Sequence, residues 1–206
     1  MMLTEVKSAF TENKWAIISA AAILFISLIL GYFLQPYMYD YLNPVVDELT
    51  KKVETGAIKL TFQSLFFNNI RIVFAMFIFG FIFCFSALIL AFNGFFVGYY
   101  VATTDDLLLT MLLIVPHGIF EFSSCIIACA SGSVLFNFIY RFLKAILKQD
   151  NGPVKEILSV AFSESGDKLK HAIILLVIAS ILMAIAGFVE AYLTLPIGEW
   201  IYSVLT

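Results

Sequence analysis

The chain has 206 residues, 62% of them hydrophobic and 13% charged, with a net charge of −3. Soluble domains carry roughly 25% charged residues, so the composition excludes an ordinary water-soluble domain and identifies an integral membrane protein with the lipid bilayer as its first partner. The twelve basic residues form no patch interleaved with aromatics, which argues against a nucleic-acid partner.

Residues 1–14 form a short polar lead-in. The apolar run Trp15–Leu34 is 20 residues long, enough to cross the hydrocarbon core as a helix and longer than a secretory h-region of about 7–15 residues. Its flank is mixed in sign (Glu5, Lys7, Glu12, Lys14) and no small-x-small site follows, so it reads as a permanent first span, closed by Gln35-Pro36. Tyr37, Tyr39 and Tyr41 then supply rings suited to a membrane interface.

Residues 44–66 read as an amphipathic surface helix, with Asn43 as cap and Pro44 at the first helical position. Charges alternate in sign across Asp47, Glu48, Lys51, Lys52 and Glu54, while Val46, Leu49 and Val53 recur at helical spacing. Such a helix either lies on the membrane or a partner or serves as a solvated connector.

Ile70–Phe92 is expected to be the second span, interrupted at Asn93-Gly94. Residues 95–103 and 107–115 are apolar pieces too short to cross alone, parted by the polar Thr103-Thr104-Asp105-Asp106. Pro116-His117-Gly118 is a further expected break, and Ile119–Phe142 is again long enough to span. Arg141–Lys170 holds six of the twelve basic residues, which marks a cytoplasmic segment. Within it, Asp150-Asn151-Gly152-Pro153 is a turn opening a helix over Val154–Ser163, with Gly166 ending it. Residues 171–195 form the last span, closed by Leu195-Pro196, and Trp200 and Tyr202 suit an interface.

The expected fold is therefore an all-α, polytopic membrane helix bundle, a single transmembrane domain over residues 1–206. The spans fall at about 15–34, 70–92, 94–115, 117–142 and 171–195, with broken half-helices between residues 94 and 116. Broken helices are tolerated where the break faces protein or water. A re-entrant hairpin over 94–115 would reduce five crossings to four; five is favoured. The N-terminus would then be inside, 35–69 a non-cytoplasmic loop with an amphipathic helix, and 143–170 a basic cytoplasmic loop. The expected location is the cell membrane, multi-pass.

No lysine or arginine occurs from Ile72 to Tyr140, where the formal charges are Asp105, Asp106 and Glu121, with His117 nearby. An ionisable side chain in hydrocarbon is costly and turns inward to protein or water. His117 and Glu121 are four apart on one helix face and can pair, and helical rise puts Glu190 at similar depth. The group is either a hydrogen-bonded clasp that fixes packing or a site for proton or solute chemistry. No zinc-protease HExxH spacing is present, and no metal or other cofactor is expected. Cys125 and Cys129 share a helix face, as metal ligands could, but they and Cys84 lie in apolar runs and fit buried small residues better. Asp105 and Asp106 are a polar interfacial turn or the lining of a cavity. Gly94 and Gly98 allow close helix contact or a turn, and Ser124, Ala128 and Gly132 form a packing ladder.

Asn68-Asn69, Asn93-Gly94-x-x-x-Gly98, His117-Gly118-x-x-Glu121, and Gly187-x-x-Glu190 before Leu195-Pro196 together resemble the stage II sporulation protein M family. The resemblance covers residues from about 15 to 196. It implies a multi-span protein that, in spore formers, anchors peptidoglycan hydrolases in a wall-remodelling complex. It also implies that Asn69, Asn93, Gly94, His117, Gly118, Glu121 and Glu190 are characteristic positions. The 35–69 segment carries no catalytic constellation of its own.

A non-enzymatic membrane scaffold with membrane or envelope proteins as partners, itself a candidate homo-oligomer, is the leading expectation. A small-solute or ion transporter or channel using His117, Glu121 and Glu190 stands second, since transporters build sites from broken half-helices. An intramembrane enzyme stands third, because no nucleophile or metal motif accompanies the His/Glu pair.

Overall fold

Long apolar runs in lipid must satisfy their backbone groups within the segment, and helices do so. The computed structural model describes residues 2–56, 61–82, 84–148 and 153–205. Its helices are α1 (Met2–Glu12), α2 (Lys14–Phe33), α3 (Gln35–Glu54), α4 (Phe62–Ile78, continued by a 3₁₀ turn over Phe79–Phe81), α5 (Phe85–Thr103), α6 (Leu107–Leu147), α7 (Val154–Tyr192) and α8 (Thr194–Leu205). Five segments are long and apolar enough to cross a membrane: α2, α4 with its 3₁₀ turn, α5, α6 and α7. The chain is thus an all-α helical membrane bundle of five candidate spans.

The boundaries differ from the expected ones, and each difference has a packing cause. The expected span 70–92 is two elements, with the break at Ile82–Cys84. Gly80 lies against the backbone of Gly132 on α6, which a Cβ on Gly80 would overlap, while a Cβ on Gly132 would overlap the Met76 carbonyl oxygen and the Ser86 hydroxyl. The Ser86 hydroxyl donates to the Met76 carbonyl, and Cys84 adopts a left-handed φ of 64°. Asn93-Gly94, expected to interrupt the chain, lies inside α5. Broken half-helices between 94 and 116 do not form: residues 95–103 complete α5, and 107–115 begin α6, which runs unbroken through Pro116-His117-Gly118. Pro116 removes the helical partner of the Leu112 carbonyl, yet the helix continues. The expected surface helix starts at Gln35 rather than Pro44, which lies inside α3. Gly166 does not end a helix either: α7 passes through it, and a Cβ there would meet only the Phe162 ring at 3.5 Å. The expected turn over Asp150–Gly152 lies outside the described residues.

The helix pairs fix the arrangement. In α6 and α7 the Ser124 hydroxyl donates to the Ala179 carbonyl and that of Ser131 to Ala172, both at 2.7 Å. Seven residues forward on α6 thus match seven backward on α7, an antiparallel seam with buried hydroxyls satisfied across it. The helices α2 and α5 are parallel and backbone-close, with Leu24 and Ser27 beside Gly94 and Leu28 and Tyr32 beside Gly98. Gly187 of α7 packs on Phe66 of α4, and Gly198 of α8 folds back onto Leu113 of α6. Connectivity therefore puts α3, the Thr104–Asp106 turn and α8 at one end of the bundle, and α1, the Ile82–Cys84 break and the α6–α7 connection at the other.

Helix α6 has 41 residues and α7 has 39; at ~1.5 Å per residue each is roughly 60 Å long, about twice a hydrocarbon core of ~30 Å. On α7 the apolar stretch begins after Lys170, and the Ser131–Ala172 bond sets that level on α6. Beyond it, residues 133–147 and 154–170 continue as a helical hairpin with its own small core. Phe138 packs edge-on to Phe162 and against Phe142, and Ala145 and Ala161 are buried.

Candidate functional site: a cavity at the α3 end

Helices α3, α5 and α6 line a half-open cavity of about 430 Å³. Its α6 wall is the expected polar group's own turn, His117, Gly118, Glu121 and Phe122; α5 contributes Phe96, Val97 and Tyr100, and α3 contributes Val46, Leu49 and Thr50. Val46 and Leu49, two of the apolar residues read at helical spacing along 44–66, lie on the face of α3 that lines this cavity. Val46, Leu49 and Thr50 are spaced so that successive turns of one helix present them together.

His117 and Glu121 both line the cavity, but no hydrogen bond or ion pair joins them among the described residues. The imidazole reaches the α7–α8 corner instead: His117 Nδ1 lies 3.3 Å from Thr194 Oγ1. The Thr194 hydroxyl donates to the Val189 carbonyl at 3.1 Å, so its oxygen accepts from Nδ1 and Nε2 is the ring's remaining polar atom. Glu190, half-buried on α7, lies within electrostatic reach of Glu121. The three expected residues thus gather around one region, with the acids facing each other's field and the histidine tied to the corner four residues past Glu190.

The other expected positions are dispersed. Asn93 and Asn69 are half-buried on α5 and α4, and Asn69 Oδ1 accepts from Asn68 Nδ2 at 3.4 Å. Gly94 serves the α2–α5 contact, while Gly118 is buried at the cavity wall. Asp105 and Asp106 are exposed; Asp106 caps α6, its Oδ1 accepting from the Leu109 amide at 2.9 Å, and neither lines this cavity. Cys125 and Cys129 are buried and free. Among the described residues no group of three or more His, Cys, Asp or Glu side chains could hold a metal ion.

A second polar cluster, at the opposite end, was not anticipated from the sequence. Lys168 Nζ donates to Glu12 Oε2 at 3.1 Å and to Asn13 Oδ1 at 3.3 Å, and Asn13 Nδ2 lies 3.3 Å from His171 Nδ1. Lys168 is 8% exposed and His171 3%. Nearby, Lys170 pairs with Glu5 at 2.7 Å. The Ser8 hydroxyl and then the Lys168 ammonium hold the Glu12 carboxyl below the ordinary glutamate range, and Lys170 does the same for Glu5. A signal did exist: Asn13 and His171 each sit at the polar mouth of an apolar run, where a buried polar group needs a partner.

The family described as Stage II sporulation protein M matches residues 20–195. An uncharacterized protein of Methanocaldococcus jannaschii is 32% identical over 151 residues, covering 71% of this chain and 78% of the relative. A second uncharacterized protein of the same archaeon is 27% identical over 215 aligned positions, covering 98% of this chain and 91% of the relative. No solved structure matches the chain significantly.

Proposed function

We propose, because the chain belongs to the stage II sporulation protein M family, that it is a non-enzymatic membrane assembly protein, an anchor for other proteins of the cell envelope. The observation that carries this is the α6–α7 hairpin, which projects beyond the membrane-length part of the bundle and presents large apolar side chains outward. Leu147 is 81% exposed, Val154 72%, and Tyr140, Leu143 and Phe162 are exposed with them. Apolar surface standing clear of lipid is characteristic of a protein–protein contact. Basic residues Arg141, Lys144 and Lys148 rim it, which by the positive-inside rule makes this the cytoplasmic end.

A transport role draws on the cavity holding His117 and Glu121. It stands second, because the segments expected as half-helices are parts of continuous α5 and α6.

The test is photocrosslinking in native membranes, with a crosslinking amino acid at Leu147 or Tyr140 and, as control, at Leu88, an exposed position on α5. Protein adducts of defined mass are expected from the hairpin positions and not from Leu88. Lipid adducts alone at all three positions would remove the assembly role.

A further inference from the structure

An assembly role exercised by the hairpin makes no use of the cavity at the other end of the bundle. That cavity has the volume of a small-molecule site, which typically runs ~300–1,000 Å³, and a composition that restricts what it can hold. Its body is apolar and aromatic, with Leu49 from α3, Phe96 and Tyr100 from α5, and Phe122 from α6. Its polar end is Glu121 and His117. Glu121 has no hydrogen-bond or ion-pair partner among the described residues, and a second acid, Glu190, bears on it from α7. No lysine or arginine lies anywhere in Ile72–Tyr140, the stretch that supplies the α5 and α6 walls. On α3 the nearby charges are Asp47, Glu48, Lys51 and Lys52, and Lys52 is engaged by Glu48 at 2.6 Å.

An anionic occupant would meet the Glu121 carboxyl, with no cation on the α5 or α6 walls. A purely apolar occupant would leave Glu121 without a partner in an apolar surround, the costly arrangement for a buried acceptor. A metal ion lacks a third ligand among the described residues. An organic cation answers every feature at once: a carboxylate as counter-ion, aromatic faces that attract an ammonium head, and apolar walls for its substituents. We propose that the cavity between α3, α5 and α6 binds a small organic cation, an amine or quaternary ammonium on an apolar body, with Glu121 as its counter-ion. Helix α3 covers the occupant through Leu49. This site is independent of the hairpin and of the assembly role.

The test uses the full chain purified in a neutral maltoside detergent, with benzyltrimethylammonium as probe, benzyl alcohol as its neutral counterpart and benzenesulfonate as its anionic one. Binding is read by saturation-transfer NMR and by the shift in melting temperature at constant ionic strength. The cation is expected to bind and to raise the melting temperature, and the two counterparts to do neither. Glu121→Gln should weaken cation binding at least tenfold, while Asp105→Asn, at an exposed carboxylate outside the cavity, should leave it unchanged. Leu49→Trp, which fills the cavity from α3, should abolish binding and keeps the test decisive if Glu121→Gln does not fold. Equal binding of all three probes, no binding of the cation, or undiminished binding by Leu49→Trp would each overturn the proposal.

Discussion

At the scale of single residues, glycines separate into those that hold helices together and those that do not. A Cβ at Gly98 would overlap the Leu28 carbonyl oxygen, and one at Gly31 the Phe95 carbonyl oxygen; both neighbours are backbone, which cannot swing aside. At Gly118 a Cβ would meet only side-chain atoms of Ile114 and Phe122, at 3.4 Å or more. The family resemblance marks Gly94 and Gly118 alike, but steric demand does not. Gly98→Ala should therefore destabilise the α2–α5 pair by about 1–3 kcal/mol, as overpacking does. Gly118→Ala should be neutral or stabilising by up to about 1 kcal/mol, the helix-propensity gain of alanine over glycine. Thermal unfolding in detergent of the two variants side by side checks this, and equal losses would refute the distinction. Close contact, one of the two roles open for Gly94 and Gly98, is the one their surroundings require.

At the scale of elements, α1 is attached to α7 through charge as well as through the buried Ala9. Glu12 meets Lys168, and Glu5 meets Lys170. Both carboxyls are held below the ordinary glutamate value by their hydrogen-bond donors. A depressed native pKa means that the unfolded or undocked state takes up protons first. The charged part of the attachment is therefore fully present at neutral pH, begins to weaken as pH falls past the ordinary glutamate value near ~4.3, and is lost once pH passes below the lowered values. A spin label at the exposed Leu3 should become mobile over that acidic window. Lys168→Met should shift the onset to higher pH, and a label equally immobile at neutral and acidic pH in both proteins would exclude this attachment. The same elements show what the sequence could disclose. A polar break at Thr104–Asp106 was legible, but not its place: the favoured reading set it within a span, whereas it joins α5 to α6 at an end of the bundle, where polar residues meet water and Asp106 caps α6. The break at Ile82–Cys84 was not legible: it follows from Gly80 meeting Gly132, fifty-two positions away by residue number, and from a positive φ at a cysteine, a residue type that does not announce one. Pro116 and Gly166 misled in the opposite sense, because punctuation that stops a short helix in water is overridden within a long packed one. The cavity's acid and histidine stood out as lone titratable groups in an apolar stretch. The roof that α3 places over them depends on where that helix lands, which no local pattern encodes.

At the scale of the whole molecule, the five candidate spans and their pairings make a statement about sides that the individual helices do not. The parallel α2–α5 contact and the antiparallel α6–α7 seam are mutually consistent only if Leu3, the Ile82–Cys84 break and Leu147 share one end while Asp105 and α3 share the other. A re-entrant 94–115 segment would instead return Asp105 to the end from which it entered or strand it within the bilayer. Cysteine accessibility distinguishes these arrangements. With Cys84, Cys125 and Cys129 replaced by serine or alanine, single cysteines go in at Leu3, Asp105 and Leu147. All three positions are exposed, so labelling reports sidedness rather than burial. In intact cells a membrane-impermeant maleimide should label Asp105→Cys at once, and Leu3→Cys and Leu147→Cys only after permeabilisation, if the hairpin follows the positive-inside rule as proposed. Exchange of the two classes would invert the bundle without altering its pairings. Labelling of Asp105→Cys and Leu147→Cys from the same side would mean that α6 does not cross, and the seam between α6 and α7 would then lie along the membrane rather than through it.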